Sequence, residues 1–256
     1  MPLEIVTVPC RQDNYAFIVH DPDTGSTALV DAPEAAPIEA ELDARDWRLD
    51  EILLTHHHDD HIAAVEPLRE LYPGLRVTGA AADAHRLPPL DHAVAEGDTV
   101  TIGAEAGEVL EVSGHTVGHI AFFFPASDLV FTGDSLMVMG CGRLFEGTAV
   151  QMWDSLSKLA ALPDATLVCS GHEYTAANAA FALSVDAGNA ALVARKAQID
   201  AARARGEPTV PATLGIERTT NPFLRAGAPD LKEALGKAGA SDAEVFAHLR
   251  KLKDAF

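Results

Sequence analysis

Residues 55 to 61 read Thr55-His56-His57-His58-Asp59-Asp60-His61 and follow directly on the apolar stretch Glu51-Ile52-Leu53-Leu54. Four imidazoles and two carboxylates in so short a run are rarely needed on a solvated surface, whereas a metal site needs little else. His56 and His58 are two apart, so in an extended segment both rings project to the same side and can share an ion. Asp60 and His61 follow as a second, adjacent pair. The pattern His-x-His-x-Asp-His thus supplies half a ligand set to each of two ions.

The same local grammar recurs along the chain: an apolar run ends in Gly, Ser or Thr and is followed by His or Asp. Leu53-Leu54-Thr55 precedes His56, Val112-Ser113-Gly114 precedes His115, Phe131-Thr132-Gly133 precedes Asp134, and Cys169-Ser170-Gly171 precedes His172. Strand ends followed by tight turns are where a rigid sheet presents functional loops. If these strands share one sheet edge, the turns converge and assemble His56, His58, His61, His115 and His172 with Asp60 and Asp134. Two zinc-like ions need about four ligands each, counting a shared aspartate and a bridging water, and this inventory provides them.

The elements that must position these turns alternate. Apolar, β-branched runs at 3–8, 15–19, 27–30, 51–54, 76–78, 109–112, 120–124, 129–132 and 166–169 read as strands, and 35–44, 62–71 and 151–162 carry helical spacing. Such alternation indicates a layered α/β domain. After Tyr174 the texture changes: 176–205 is Ala-rich with helical periodicity, a Pro-punctuated connector spans 208–222, and further helices are expected near 229–237 and 242–253. Ser241 followed by Glu244 has the form of a capping box. No internal repeat or low-complexity tract interrupts this plan.

With 256 residues, 48% hydrophobic and 22% charged, the composition is that of a globular protein with a substantial core. No apolar run approaches the roughly 20 residues of a membrane span, and Met1-Pro2-Leu3-Glu4-Ile5 lacks the basic start and apolar core of a secretory signal. A cytoplasmic location is expected. The three cysteines, Cys10, Cys141 and Cys169, show no Cys-x-x-Cys spacing and read as reduced, buried thiols. A formal charge of −19 argues against a nucleic-acid partner. An anionic substrate would therefore need a local cationic patch.

The segments 55–61, Gly114-His115-Thr116-Val117-Gly118-His119, Gly133-Asp134-Ser135 and Ser170-Gly171-His172-Glu173-Tyr174-Thr175 resemble the metal motifs of the metallo-β-lactamase superfamily. Asp13-Asn14-Tyr15, the loop from Gly140 to Thr148 and Asn221-Pro222-Phe223-Leu224-Arg225 narrow the resemblance to the glyoxalase II (hydroxyacylglutathione hydrolase) family, essentially end to end. That resemblance implies a four-layer αββα sandwich over 1–173 and a small all-helical, glutathione-binding domain over 174–256. It implies that His56, His58 and His115 hold one metal, that Asp60, His61 and His172 hold the second, and that Asp134 bridges them. The expected cofactors are two divalent ions, zinc first, with iron or manganese compatible with the same ligands.

Two dications among neutral histidines and two aspartates would leave a net positive site, so a bridging water would lose a proton near neutral pH. The expected reaction is attack of that metal-bridging hydroxide, positioned by Asp134 and Asp60, on a thioester carbonyl. Because a thiolate leaves readily, no strong protein acid is demanded. The family's substrate is a 2-hydroxyacyl thioester of glutathione, typically S-D-lactoylglutathione, and its two glutathione carboxylates call for cations. Arg250 and Lys253 match family positions at the glycine end of the tripeptide, Arg143 lies in the Gly-rich loop after Asp134, and Tyr174 offers a hydroxyl. Basic residues at a helix end also suit the helix dipole without any ligand. The expected partner is this small molecule, with no nucleic acid or membrane, and the expected state is a monomer.

The chain departs from the family pattern in places. Phe145 stands where many members carry a glutathione-binding tyrosine, Ile62-Ala63-Ala64-Val65 replaces a paired glycine, and Asp59 is an unusually acidic filler. His57 and His119 read as hydrogen-bonding neighbours of the ligands, and His20, His85, His92 and His248 as packing or surface residues. Cys141 has no motif-linked base and does not read as a nucleophile. The rival readings are a mononuclear iron persulfide dioxygenase of the same superfamily and a non-catalytic metal-binding module.

Overall fold

The computed structural model describes all 256 residues. The backbone forms two compact units, one of residues 1–111 and 118–133, the other of residues 112–117 and 134–256.

In the first unit, β1 (Glu4–Cys10) and β2 (Asn14–His20) pair antiparallel, and β3 (Thr27–Val30) joins β2 in the same sense. The chain then crosses through α1 (Ala35–Arg45) to β4 (Glu51–Leu53), which lies parallel to β3. A helical crossover is the usual way to join parallel neighbours. The short helices α2 (Asp59–Ile62) and α3 (Val65–Leu71) lead to β5 (Arg76–Ala80), parallel to β4, and β6 (His92–Val94) completes a sheet ordered β1-β2-β3-β4-β5-β6. β7 (Thr99–Ile102), β8 (Glu105–Glu111), β9 (Ile120–Phe124) and β10 (Leu129–Gly133) form an antiparallel ladder of sequence neighbours.

Every residue of β2 is buried, as expected of a strand covered on both faces. On one face of the first sheet, Ile18, Leu29 and Ile52 pack with Ile38 and Leu42 of α1 and Leu68 of α3. Elsewhere in the unit Phe17 of β2 meets Phe131 of β10 at 5.6 Å between ring centroids. Each such ring, fully buried, contributes about 1.5–3 kcal/mol.

The second unit holds two short antiparallel pairs, β11 (Leu136–Met137) with β12 (Gly140–Cys141) and β13 (Leu167–Ser170) with β14 (Ala212–Thr213). Its helices are α4 (Ala149–Ala160), α5 (Thr175–Val185), α6 (Ala190–Ala204), α7 (Leu214–Thr220), α8 (Pro229–Ala234) and α9 (Asp242–Asp254). Capping boxes open α4 (Thr148 with Gln151) and α9 (Ser241 with Glu244). No helix is long and apolar enough to cross a membrane.

Three expectations from sequence are revised. The helix read over 62–71 is broken at Ala63-Ala64, because Ala32 N–H donates to the His61 carbonyl and Ala64 N–H donates to the Ala32 carbonyl. These bonds tie the turn after His61 to the end of β3. The Ala-rich run 176–205 is two helices, split where Asn189 caps α6 by accepting from Leu192 N–H. The connector 208–222 contains β14 and α7, whose few residues carry too little periodicity to be read.

Candidate metal centre

Each unit carries its own set of candidate ligands. In the first, β4 ends at Leu53 and residues 54–58 run on without regular structure before α2 begins at Asp59. The backbone of Thr55 is held at both groups: its N–H donates to Asp31 Oδ1 at 2.9 Å, and its carbonyl accepts from Ile120 N–H at 3.0 Å. The strand-end turns are not all fed by one sheet, since β4 belongs to the first sheet and β8 and β10 to the second.

Hydrogen bonds fix which nitrogen each imidazole offers. The Thr55 hydroxyl donates to Asp31 Oδ2 at 2.8 Å, so at 3.0 Å it accepts from His56 Nδ1. His61 Nδ1 donates to the same carboxylate at 2.7 Å. Both rings therefore carry their proton on Nδ1 and keep the Nε2 lone pair for a ligand. His56 Nε2 faces His58 Nδ1 at 3.1 Å. Two nitrogens bound at about 2.0–2.1 Å in a tetrahedron stand roughly 3.3 Å apart, so this spacing suits one shared ion. Asp60 Oδ2 lies 3.8 Å from His61 Nε2 and accepts from Asn14 Nδ2 at 3.0 Å.

In the second unit, His115 Nδ1 donates to the Arg143 carbonyl at 2.8 Å, which leaves its Nε2 3.4 Å from Asp134 Oδ2. His172 Nε2 stands at the same 3.4 Å from that same oxygen. One carboxylate oxygen equidistant from two imidazole nitrogens is compatible with a carboxylate serving two ions. The donor sets, oriented by carbonyl, carboxylate and hydroxyl groups behind them, fit divalent metal ions.

Glycine makes the close approaches possible at two turns. A Cβ on Gly142 would fall 1.9 Å from the Asp134 carbonyl oxygen and 3.0 Å from His115 Nδ1. Gly133, at φ +48°, would place one 2.5 Å from Thr55 Oγ1.

The other residues singled out from sequence fall as follows. His57 is no ligand in either set; its Nδ1 lies 3.1 Å from Asp83 Oδ2. His119 stacks on His56 at 4.6 Å and donates through Nδ1 to the Ile120 carbonyl at 3.1 Å. Asp59 is exposed and paired with Arg11. The exposed Phe145 ring stands edge-on to His115 at 5.2 Å, and Tyr174 stacks flat on His172 at 4.7 Å. Cys141 is buried and burial pushes its thiol up to about 11, while Cys10 and Cys169 are also buried and form no disulfide.

Of the expected substrate cations, Arg143 is exposed and Lys253 half-buried. Arg250 is buried, with its Nη1 donating to the Cys141 carbonyl at 2.9 Å and its Nε donating to Asp254 at 3.1 Å. Burial, and then the charges of Arg250 and Arg143, push the Lys253 ammonium below its ordinary range.

Asp31, Asn14 and Asp83 were not singled out for chemistry from sequence. Asp31 had a partial signal: Leu29-Val30-Asp31 is an apolar run ending in Asp, without the Gly, Ser or Thr of the other turns, and Asp31 sits at φ +58°, which aspartate tolerates better than most residues. Asp83 had none, because it follows an unremarkable Ala-Ala pair.

A family model described as hydroxyacylglutathione hydrolase C-terminus matches residues 173–256, and one described as metallo-β-lactamase superfamily matches residues 8–172. A protein of Ruegeria pomeroyi named hydroxyacylglutathione hydrolase is 65% identical over 256 residues, covering 100% of both chains. Among solved structures, ETHE1 from Myxococcus xanthus is similar with a TM-score of 0.67 and 27% identity, over 98% of this chain and 90% of that one. TTHA1623, crystallised in a di-iron-bound form, has a TM-score of 0.62 and 26% identity, over 86% of this chain and 100% of its own.

Proposed function

Because the chain belongs to the hydroxyacylglutathione hydrolase family, with the metallo-β-lactamase fold and a helical C-terminal region, we propose that it hydrolyses S-2-hydroxyacylglutathione thioesters, S-D-lactoylglutathione among them, at a centre of two divalent ions. His56, His58 and His115 would hold one ion, Asp60, His61 and His172 the other, and Asp134 would serve both. The observation that carries this reading is the single Asp134 oxygen standing 3.4 Å from both His115 Nε2 and His172 Nε2. When bound, divalent ions supply Lewis acidity toward a thioester carbonyl and lower the pKa of water. Zinc is the metal best suited to such histidine-rich sets, and iron is compatible with the same donors.

The chain's own groups do the positioning. The Thr55–Asp31 pair fixes His56 and His61, the Arg143 carbonyl fixes His115, and Asn14 fixes Asp60. The leaving group is the thiolate of glutathione, so no side chain has to donate a proton to expel it. Arg143, Lys253 and the Tyr174 hydroxyl receive the tripeptide, and 174–256 forms the substrate-binding domain around them. Arg250 serves chiefly to hold α9 on the Cys141 carbonyl. Buried thiols that form no disulfide suit a reducing cytoplasm, where glutathione is abundant.

Replacing Asp134 with alanine tests this assignment. The variant should bind fewer metal equivalents and lose thioester turnover, whereas full activity with full metal content would refute the shared role.

A further inference from the structure

Lys253 and Arg250 lie one turn apart on α9, and each cation rests on an aromatic ring. The Lys253 ammonium is 5.3 Å from the centroid of Phe181 and 5.4 Å from that of Phe256, and these two rings meet edge to face at 5.6 Å and 71°. The Arg250 guanidinium is 5.2 Å from the Phe223 centroid. Phe223 in turn stacks on Phe181 at 5.9 Å, so one row of rings carries both charges. A cation within about 6 Å of a ring centroid is held by the ring's quadrupole.

The Lys253 ammonium has one hydrogen bond, to the Ala177 carbonyl at 3.2 Å, and no carboxylate partner, whereas Arg250 is neutralised by Asp254. An ammonium has three N–H donors, so two are uncommitted. Partial burial beside two guanidinium groups opposes its charge, and besides the Ala177 carbonyl and the charge of Asp254 the faces of Phe181 and Phe256 compensate it. Phe256 is 67% exposed, an unfavourable place for a ring whose only purpose is packing.

We propose that Phe181 and Phe256 are positioning residues for substrate: their faces hold the Lys253 ammonium charged and in place to receive a carboxylate of the glutathione moiety. This rests on the hydrolase reading above. Phe181 is buried and shared with the core, so Phe256 is the site at which to separate the two roles. Leucine there keeps apolar cover without a quadrupole; tyrosine keeps the ring.

The experiment compares wild type, Phe256→Leu and Phe256→Tyr in S-D-lactoylglutathione hydrolysis and in proton–carbon spectra of the lysine ε-methylenes. Wild type should show a Lys253 resonance shifted upfield by ring currents, retained in Phe256→Tyr and much reduced in Phe256→Leu. Phe256→Leu should raise KM about two- to fivefold with kcat unchanged, and Phe256→Tyr should keep the wild-type KM. A shifted resonance with an unchanged KM in Phe256→Leu would overturn the positioning role while leaving the hydrolase reading intact. A wild type without the shifted resonance would refute the clamp directly, whatever the turnover. A wild type that shows the resonance but does not hydrolyse the thioester would sink the hydrolase reading and the role together.

Discussion

A neutral imidazole has one lone pair to give, and which nitrogen gives it depends on what the other nitrogen touches. Asp31 makes that choice for two rings at once, directly for His61 and through the Thr55 hydroxyl for His56. It is buried and bonds the Thr55 amide as well. Replacing it with asparagine keeps a residue that tolerates positive φ but removes one acceptor oxygen: an amide NH2 in the place of Oδ2 strips both the hydroxyl and the imidazole of their acceptor, and the flipped amide strips the Thr55 N–H of its own. Metal affinity should fall about 10- to 100-fold, as measured by competition with a chromophoric chelator. Unchanged affinity would mean that His56 and His61 are oriented by something else. The candidate ligands were legible because histidine and aspartate at these spacings have few other uses. The contacts of Asp31 and Asn14 were not, because an Asp just after a strand or an Asn that opens one is ordinary turn chemistry until the fold shows what it touches.

Strand ends are the elements that deliver the ligands, and two tight approaches show how finely. Gly142 lets the loop after β12 pass against the Asp134 carbonyl, where a methyl group would sit at 1.9 Å. Gly142→Ala should therefore destabilise the fold by about 1–3 kcal/mol and lower metal content, seen in a denaturant titration run beside metal analysis. A stable, fully loaded variant would show that the loop can shift freely. Far from the ligands, Asp21 anchors the β7–β8 turn by accepting from Ala104 N–H at 2.8 Å and from the Thr24 hydroxyl at 2.8 Å. Those donors hold its pKa down to about 2, the Ala104 amide foremost. A carboxylate whose folded pKa lies below its unfolded one, about 3.9, stabilises above that higher value, and the contribution fades as pH falls toward 2. Asp21→Asn should lower the urea midpoint at neutral pH and flatten its decline between about pH 4 and 2; parallel curves for the two proteins would contradict this. Most strands were readable from β-branched runs, and β9 was placed at 120–124 as observed. β6, β7, the two-residue strands, α7 and the break between α2 and α3 were not, because they are short or set by long-range backbone bonds such as that of Ala32 with Ala64.

At the scale of the whole chain, a formal charge of −19 has to coexist with the proposed substrate, a tripeptide thioester bearing two carboxylates. In the proposed reading Arg143 and Lys253 are the local answer in the second unit, and the rings of Phe181 and Phe256 beside Lys253 would keep its charge in place. The helical character of residues after 174 was evident from composition alone. Its role was legible only through resemblance, since Arg250 and Lys253 at a helix end look the same with or without a ligand. The most direct test measures S-D-lactoylglutathione hydrolysis and metal content on one sample of the purified protein. Two equivalents of divalent metal per chain, release of D-lactate with one free thiol per turnover, and loss of both metal and activity on chelation are expected. One equivalent of iron, with oxygen consumed and the thioester left intact, would contradict the account.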